Sequence, residues 1–100
     1  MKHAYINGCT LVRTCSACPE QYDVYVGTEV KDENQIGYLR LRHGHFYAAY
    51  PDYNGKVVYS SYPKGDGIFE DDERVQQLQV AVFHLLNRHN HTVLINDVEL

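Results

Sequence analysis

The fold of this chain is decided by residues 36–50, Ile36-Gly-Tyr-Leu-Arg-Leu-Arg-His-Gly-His-Phe-Tyr-Ala-Ala-Tyr50. Apolar and polar side chains alternate on both sides of His43-Gly44, which is typical of two antiparallel strands joined by a tight turn. A two-residue loop fixes the register of such a hairpin. It therefore predicts three cross-strand pairs: Arg42 with His45, Arg40 with Tyr47, and Tyr38 with Ala49.

Strand alternation divides this hairpin into two faces. One face is apolar and is predicted to lie under a helix; it consists of Leu39, Leu41, Phe46, Ala48 and Tyr50. The other carries rings and cationic groups and is called the Tyr/Arg face; it consists of Tyr38, Arg40, Arg42, His45 and Tyr47. Two tyrosines of neighbouring strands, Tyr25 and Tyr59, are expected to extend the Tyr/Arg face.

The Tyr/Arg face has two interpretations, which the sequence leaves open. Tyrosine and arginine are enriched at protein interfaces, so the five members of the Tyr/Arg face, together with Tyr25 and Tyr59, are the candidate partner-binding residues. The same residue types are also good strand formers, and cross-strand pairs of this kind stabilise a solvated sheet face.

Period-two alternation covers most of the first two thirds of the chain. Asn7-Gly8 between apolar residues is a strong signal for a type I′ hairpin. The charged stretch 27–35 is predicted to be a loop, and Pro51 to Gly55 a turn. The predicted strands occupy residues 5–6, 9–12, 22–26, 36–42, 45–50 and 56–62.

The apolar period then changes to that of a helix, predicted from Asp72 to Arg88. The acidic run 70–73 at its start complements the helix dipole and is interpreted as a capping feature. Residues 92–95 are predicted to form a short final strand. The chain is thus expected to be one α+β domain over residues 1–100, an antiparallel four- to six-stranded meander with one C-terminal amphipathic helix packed on one face.

Composition restricts the partners. The net charge of −4 argues against direct binding of long nucleic acid, which requires a basic footprint. No signal pattern and no apolar run of membrane-spanning length is present, so we expect a soluble, cytoplasmic protein without a membrane partner. In the cytosol the three cysteines are expected to stay reduced.

The most motif-like segment is Cys15-Ser-Ala-Cys18-Pro19. Two thiolates at this spacing supply half of a tetrahedral zinc site, with Cys9 as the candidate third ligand. A fourth ligand would come from the histidines, among them His3, His43, His45, His89 and His91. The competing interpretation is three free thiols and no cofactor. No nucleophile, base and orienting group occur together in a recognisable motif, so an enzyme is not expected.

The chain is small and acidic, and it contains three distinctive segments: Cys15 to Pro19, Ile36 to Phe46, and Pro63-Lys-Gly-Asp-Gly67. With them the chain resembles small phage- or mobile-element-encoded accessory proteins of the anti-CRISPR and anti-defence type. The resemblance implies a stoichiometric inhibitor that binds a bacterial defence protein in the host cytoplasm, as a monomer or a homodimer. It is a resemblance of type and implies no individual site residues.

The leading hypothesis is therefore a non-enzymatic protein-binding module that acts through the Tyr/Arg face. A second hypothesis is a sponge for a small nucleotide signal, since tyrosine can stack on a base and arginine can hold a phosphate. A third is a small structural zinc module.

Overall fold

The computed structural model describes the backbone of residues 3–98 and the side chains of residues 3–93. Residues 3–98 form a six-stranded antiparallel sheet followed by one helix, and each strand neighbours the next one along the chain. The elements are β1 (His3–Ile6), β2 (Cys9–Arg13), β3 (Glu20–Val26), β4 (Gln35–Arg42), β5 (His45–Tyr50), β6 (Lys56–Ser61) and α1 (Asp71–Val98). The predicted α+β meander with a C-terminal helix is confirmed.

The register of the central hairpin is also confirmed. β4 and β5 pair Arg42 with His45, Arg40 with Tyr47, and Tyr38 with Ala49. His43 and Gly44 have φ angles of 54° and 73°, the left-handed pair that a type I′ turn requires. The turn is supported from outside the hairpin, because the Gly44 N–H donates a 2.7 Å hydrogen bond to the Asp66 carbonyl.

The core lies between one sheet face and α1. The predicted apolar side chains Leu39, Leu41, Phe46 and Ala48 are fully buried in it. α1 contributes the stripe Leu78, Ala81, Val82 and Leu85. The approach of helix to sheet is closest at Gly37, where an added Cβ would come within 2.3 Å of Leu85 Cδ1. Gly37 therefore sets how near α1 can lie to β4.

Two expectations about the C-terminal region are wrong. α1 does not end at Arg88 but continues to Val98, so the strand predicted at residues 92–95 is part of the helix. No glycine or proline follows Arg88 to end the helix. The Thr92 hydroxyl instead donates a 3.0 Å hydrogen bond to the Arg88 carbonyl four residues earlier, an interaction that Ser and Thr side chains form within helices. In the described residues no helix is long and apolar enough to cross a membrane.

The acidic run caps α1, as its position at the helix start predicts. Glu73 accepts hydrogen bonds from the backbone N–H of Glu70, Lys64 and Gly65, at 3.0, 2.8 and 2.8 Å. The bond to Glu70 is the return half of a capping box. The other two fasten the loop that follows β6 to the first turn of the helix.

A buried ion pair joins the sheet to the same end of the helix. Glu20 on β3 is fully buried and accepts a 2.9 Å hydrogen bond from Arg74 Nε. Its carboxylate also accepts hydrogen bonds from the Tyr22 hydroxyl and from the Phe69 N–H. Because every one of these donors is itself held in the core or at the helix start, Glu20 fixes where α1 begins on the sheet.

Candidate functional site

The Tyr/Arg face lies on the side of the sheet opposite the helix. Its members alternate along β4 and β5 with the buried residues Leu39, Leu41 and Phe46, so they project away from the core. β3 adds Gln21 beside Arg40 and Asp23 beside Tyr38. All five predicted members are therefore brought together on one surface.

Five aromatic rings form a continuous row across this surface. Tyr38 and Tyr47 have ring centroids 6.2 Å apart, and His45 lies 5.9 Å from Tyr47. The row extends at one end to Tyr53, 6.2 Å from Tyr38, and at the other to Tyr62, which stacks on His45 at 5.1 Å. Tyr53 and Tyr62 are 71% and 82% exposed. The row thus offers rings that are already ordered against one another but remain open to solvent.

Sequence analysis missed Tyr53 and Tyr62 as members of this surface. Tyr53 lies in the turn between β5 and β6, and Tyr62 follows the last residue of β6. Strand alternation does not apply to Tyr53, and for Tyr62, at the end of the predicted strand 56–62, the face depends on a register that the preceding turn does not fix. The available signals were the closeness of Tyr53 in sequence to β5, which carries Tyr47 and His45, and the position of Tyr62 at the end of the predicted strand 56–62.

The two arginines form the basic end of the surface. Arg40, Arg42, His43, His45 and Tyr47 line a shallow, open hollow of about 340 Å³. Neither arginine forms an ion pair with an acidic side chain of residues 3–93. Arg40 Nε is buried and has no hydrogen-bond partner in the described part of the chain. The hollow therefore holds positive charge that the fold itself does not neutralise.

The opposite end of the surface is acidic. Burial raises the pKa of the Asp23 carboxyl, and the nearby Asp52 raises it further, against a hydrogen bond from Gln35 that lowers it. Burial likewise raises the pKa of Tyr38, whose hydroxyl donates a 3.1 Å hydrogen bond to Gln21 Oε1. The surface is consequently polarised from Asp23 at one end to the two arginines at the other.

The two tyrosines expected to extend the face behave differently. Tyr25 does lie on the same side of the sheet as Asp23, but it is only 9% exposed, so its ring is not presented to a partner. The placement of Tyr59 on this face is wrong. A bulge between Ala48 and Ala49 shifts the register of β6, and Tyr59 pairs with Ala48 on the helix side. Its ring stacks on His84 of α1 at a centroid distance of 4.9 Å.

The cysteines proposed as metal ligands are not brought together. Cys9 is buried in the core at the start of β2, while Cys15 and Cys18 follow the other end of that strand. β2 alone spans about 13 Å at ~3.3 Å per residue, whereas two thiolates on one zinc ion must lie within about 4 Å of each other. Cys9 as third ligand is therefore wrong. Among the described residues, no three His, Cys, Asp or Glu side chains are grouped to hold a metal ion.

The Cys15–Cys18 loop is instead held by hydrogen bonds from the Arg13 side chain to backbone carbonyls of the loop. Arg13 Nε donates a 3.0 Å hydrogen bond to the Cys15 carbonyl, and Arg13 Nη2 donates one of 3.3 Å to the Ala17 carbonyl. Cys18 is exposed and lines a second hollow with Arg42 and His43. This loop borders the basic end of the Tyr/Arg face without being part of the ring row.

The Tyr/Arg face therefore combines the ring row with two arginines that have no ion-pair partner among residues 3–93. Comparison of the whole chain with protein-family models, with curated proteins and with solved structures gives no match.

Proposed function

We propose that this chain is a non-enzymatic protein-binding module that contacts its partner through the Tyr/Arg face. The observation that supports this most is the combination of the exposed ring row with two arginines that form no ion pair within the described side chains, residues 3–93. Tyrosine and arginine are the residue types, with tryptophan, that contribute most binding energy at protein interfaces. Rings that are already packed against one another lose little conformational entropy on binding.

The shape of the surface favours a protein over a small ligand. Small-molecule sites are concave and bury most of their ligand, whereas the hollow at Arg40 and Arg42 is shallow and open. The net charge of −4 also opposes a long nucleic acid. The nucleotide-sponge hypothesis makes a different prediction, a rise in melting temperature with a cyclic or linear nucleotide. A flat response across a nucleotide panel would remove it.

The resemblance to anti-defence proteins gives the proposal a biological setting. In this setting the partner is a bacterial defence protein, the complex is stoichiometric, and inhibition follows from covering a surface that the defence protein needs. The setting places the complex in the cytoplasm of the host cell.

The test is capture from a bacterial lysate with matched variants. Wild-type protein, the variant Arg40→Ala/Tyr47→Ala and the control Gln79→Ala/Phe83→Ala are immobilised at equal density. The control changes one aromatic and one polar side chain on the exposed side of α1, remote from the Tyr/Arg face. We expect wild type and control to retain the same protein and the Arg40→Ala/Tyr47→Ala variant to lose it. Retention by all three samples would refute the assignment of this face.

A further inference from the structure

We propose that the hollow lined by Arg40, Arg42, His43, His45 and Tyr47 is a carboxylate subsite, and that the protein partner presents an Asp or Glu side chain to it. This inference rests on the proposed function, because the remainder of the interface delivers the carboxylate to the hollow. It specifies the chemistry of the partner segment, an acidic side chain beside apolar or aromatic neighbours.

Charge complementarity is the first argument. The surface acids Asp23 and Asp52 lie at the Tyr38 end of the face and form no ion pair with Arg40 or Arg42. Asp66 lies beside the turn, where its carboxylate borders Gly44. It forms no ion pair with Arg42 or His43, although all three line the neighbouring hollow. A carboxylate from outside is therefore the missing counter-charge.

The unpartnered donor of Arg40 is the second argument. Guanidinium groups bind carboxylates through two parallel N–H···O bonds, commonly from Nε and one Nη on the same edge. In the free molecule Nε is covered and donates to no described acceptor. A buried donor without an acceptor is unfavourable, so a small shift of the Arg40 side chain toward an incoming carboxylate removes a penalty that only the unbound state carries.

The surroundings of the hollow explain why the carboxylate belongs to a protein. A free anion in so open a hollow keeps most of its hydration and gains only the charged contacts. A side chain carried on a protein segment also places its neighbours on the ring row that begins at Tyr47 and His45. Two arginines on one face of a chain with a net charge of −4 form too small a basic footprint for a phosphate polymer.

The subsite is tested by NMR titration of the full chain, following the Arg40 Nε–Hε signal and the backbone amides of residues 40–47. The probes are the capped peptide Ac-Leu-Glu-Glu-Leu-amide, its Gln-for-Glu counterpart, sodium phosphate and AMP. We expect the Glu peptide to shift these signals and the Gln peptide to bind about tenfold more weakly, the factor that one charge-assisted contact supplies. Arg40→Gln should remove the response, and Arg40→Lys should weaken it while keeping the charge.

Equal binding of the two peptides would overturn the subsite, as would tighter binding of phosphate or AMP than of the Glu peptide. A concentration-dependent Arg40 signal in the free chain would also overturn it, since a second copy would then occupy the hollow. If the Glu peptide fails to bind but Arg40→Ala/Tyr47→Ala still loses the captured protein, the subsite is refuted and the protein-binding proposal stands. If the capture itself does not depend on the face, the protein-binding proposal fails instead.

Discussion

Glu20 gives the sharpest stability prediction, through the variant Glu20→Gln. The substitution keeps the size of the side chain but removes the charge that faces Arg74 Nε at 2.9 Å. Breaking a fully buried ion pair by removing one partner costs about 3–5 kcal/mol, and here the Glu20 side chain is fully buried while that of Arg74 is 26% exposed. Arg74 keeps its hydrogen bonds to Asp71 Oδ1 and the Phe69 carbonyl, at 2.8 and 3.0 Å. We therefore expect the lower end, a loss of about 3 kcal/mol in the free energy of unfolding.

The same carboxylate also makes the free energy of unfolding depend on pH in the acid range. Burial alone would raise the pKa of Glu20, but hydrogen bonds from Arg74, Tyr22 and the Phe69 N–H, with the charge of Arg74, hold it below its ordinary value. A lowered native pKa means that the folded state favours the ionised carboxylate. Its contribution is therefore complete above the unfolded pKa of about 4.3 and is lost as the pH falls through the native pKa.

The assay is urea denaturation followed by far-ultraviolet circular dichroism, at pH 7 and at steps down to pH 3. Wild type should lose stability over the acid range more steeply than Glu20→Gln, which lacks the titrating group. The double variant Glu20→Gln/Arg74→Met should cost less than the sum of its single variants, with a coupling of about 1–3 kcal/mol. A Glu20→Gln variant that loses less than about 1 kcal/mol and keeps the wild-type acid profile would refute the role given to this ion pair.

Two further outcomes follow from the packing and from the thiols. Gly37→Ala should lower the free energy of unfolding by about 1–3 kcal/mol, because the new methyl group meets Leu85 at 2.3 Å. Thermal denaturation checks this, and an unchanged melting temperature would show that α1 is not held against β4 as described. Cys15→Ser/Cys18→Ser should change the free energy of unfolding by less than about 0.5 kcal/mol, and a chelator should leave the melting temperature of wild type unchanged. If these cysteines did hold structural zinc, either treatment would remove a contribution of about 10 kcal/mol or more. A large fall in the melting temperature on adding the chelator would support the hypothesis of a structural zinc module.

The parts of the fold that sequence predicted are those fixed by short-range rules. His43-Gly44 allows one tight turn, and that turn determines which residues of β4 and β5 face each other. The membership of the hairpin's two faces therefore followed directly. The five-residue connection before β6 sets no such register, and the bulge at Ala48 moved Tyr59 to the helix side. The end of α1 was predicted too early because the apolar stripe of helical period is clear only as far as Leu86, and Asn90 is a residue type that often follows the end of a helix.

The site was predictable in its core and not at its margins. The tight turn and strand alternation identified Arg40 and Tyr47 as neighbours, but Tyr53 lies in a turn, and the register shift between β5 and β6 prevents alternation alone from placing Tyr62. Glu20 escaped notice because it lies outside the predicted strand 22–26, charged residues are normally exposed, and its partner Arg74 lies 54 residues away in sequence. Contacts of that kind depend on how the helix docks, which no local pattern encodes.

The most direct test of the central claim is the affinity of the purified captured partner for wild type and for Arg40→Ala/Tyr47→Ala, measured by isothermal titration calorimetry. Loss of one interface hot spot of about 2 kcal/mol already weakens binding roughly 30-fold, and we expect at least that. The melting temperature should change little, since a cross-strand pair on a solvated sheet face contributes only about 0.2–1 kcal/mol. An unchanged affinity in a folded variant would contradict the account.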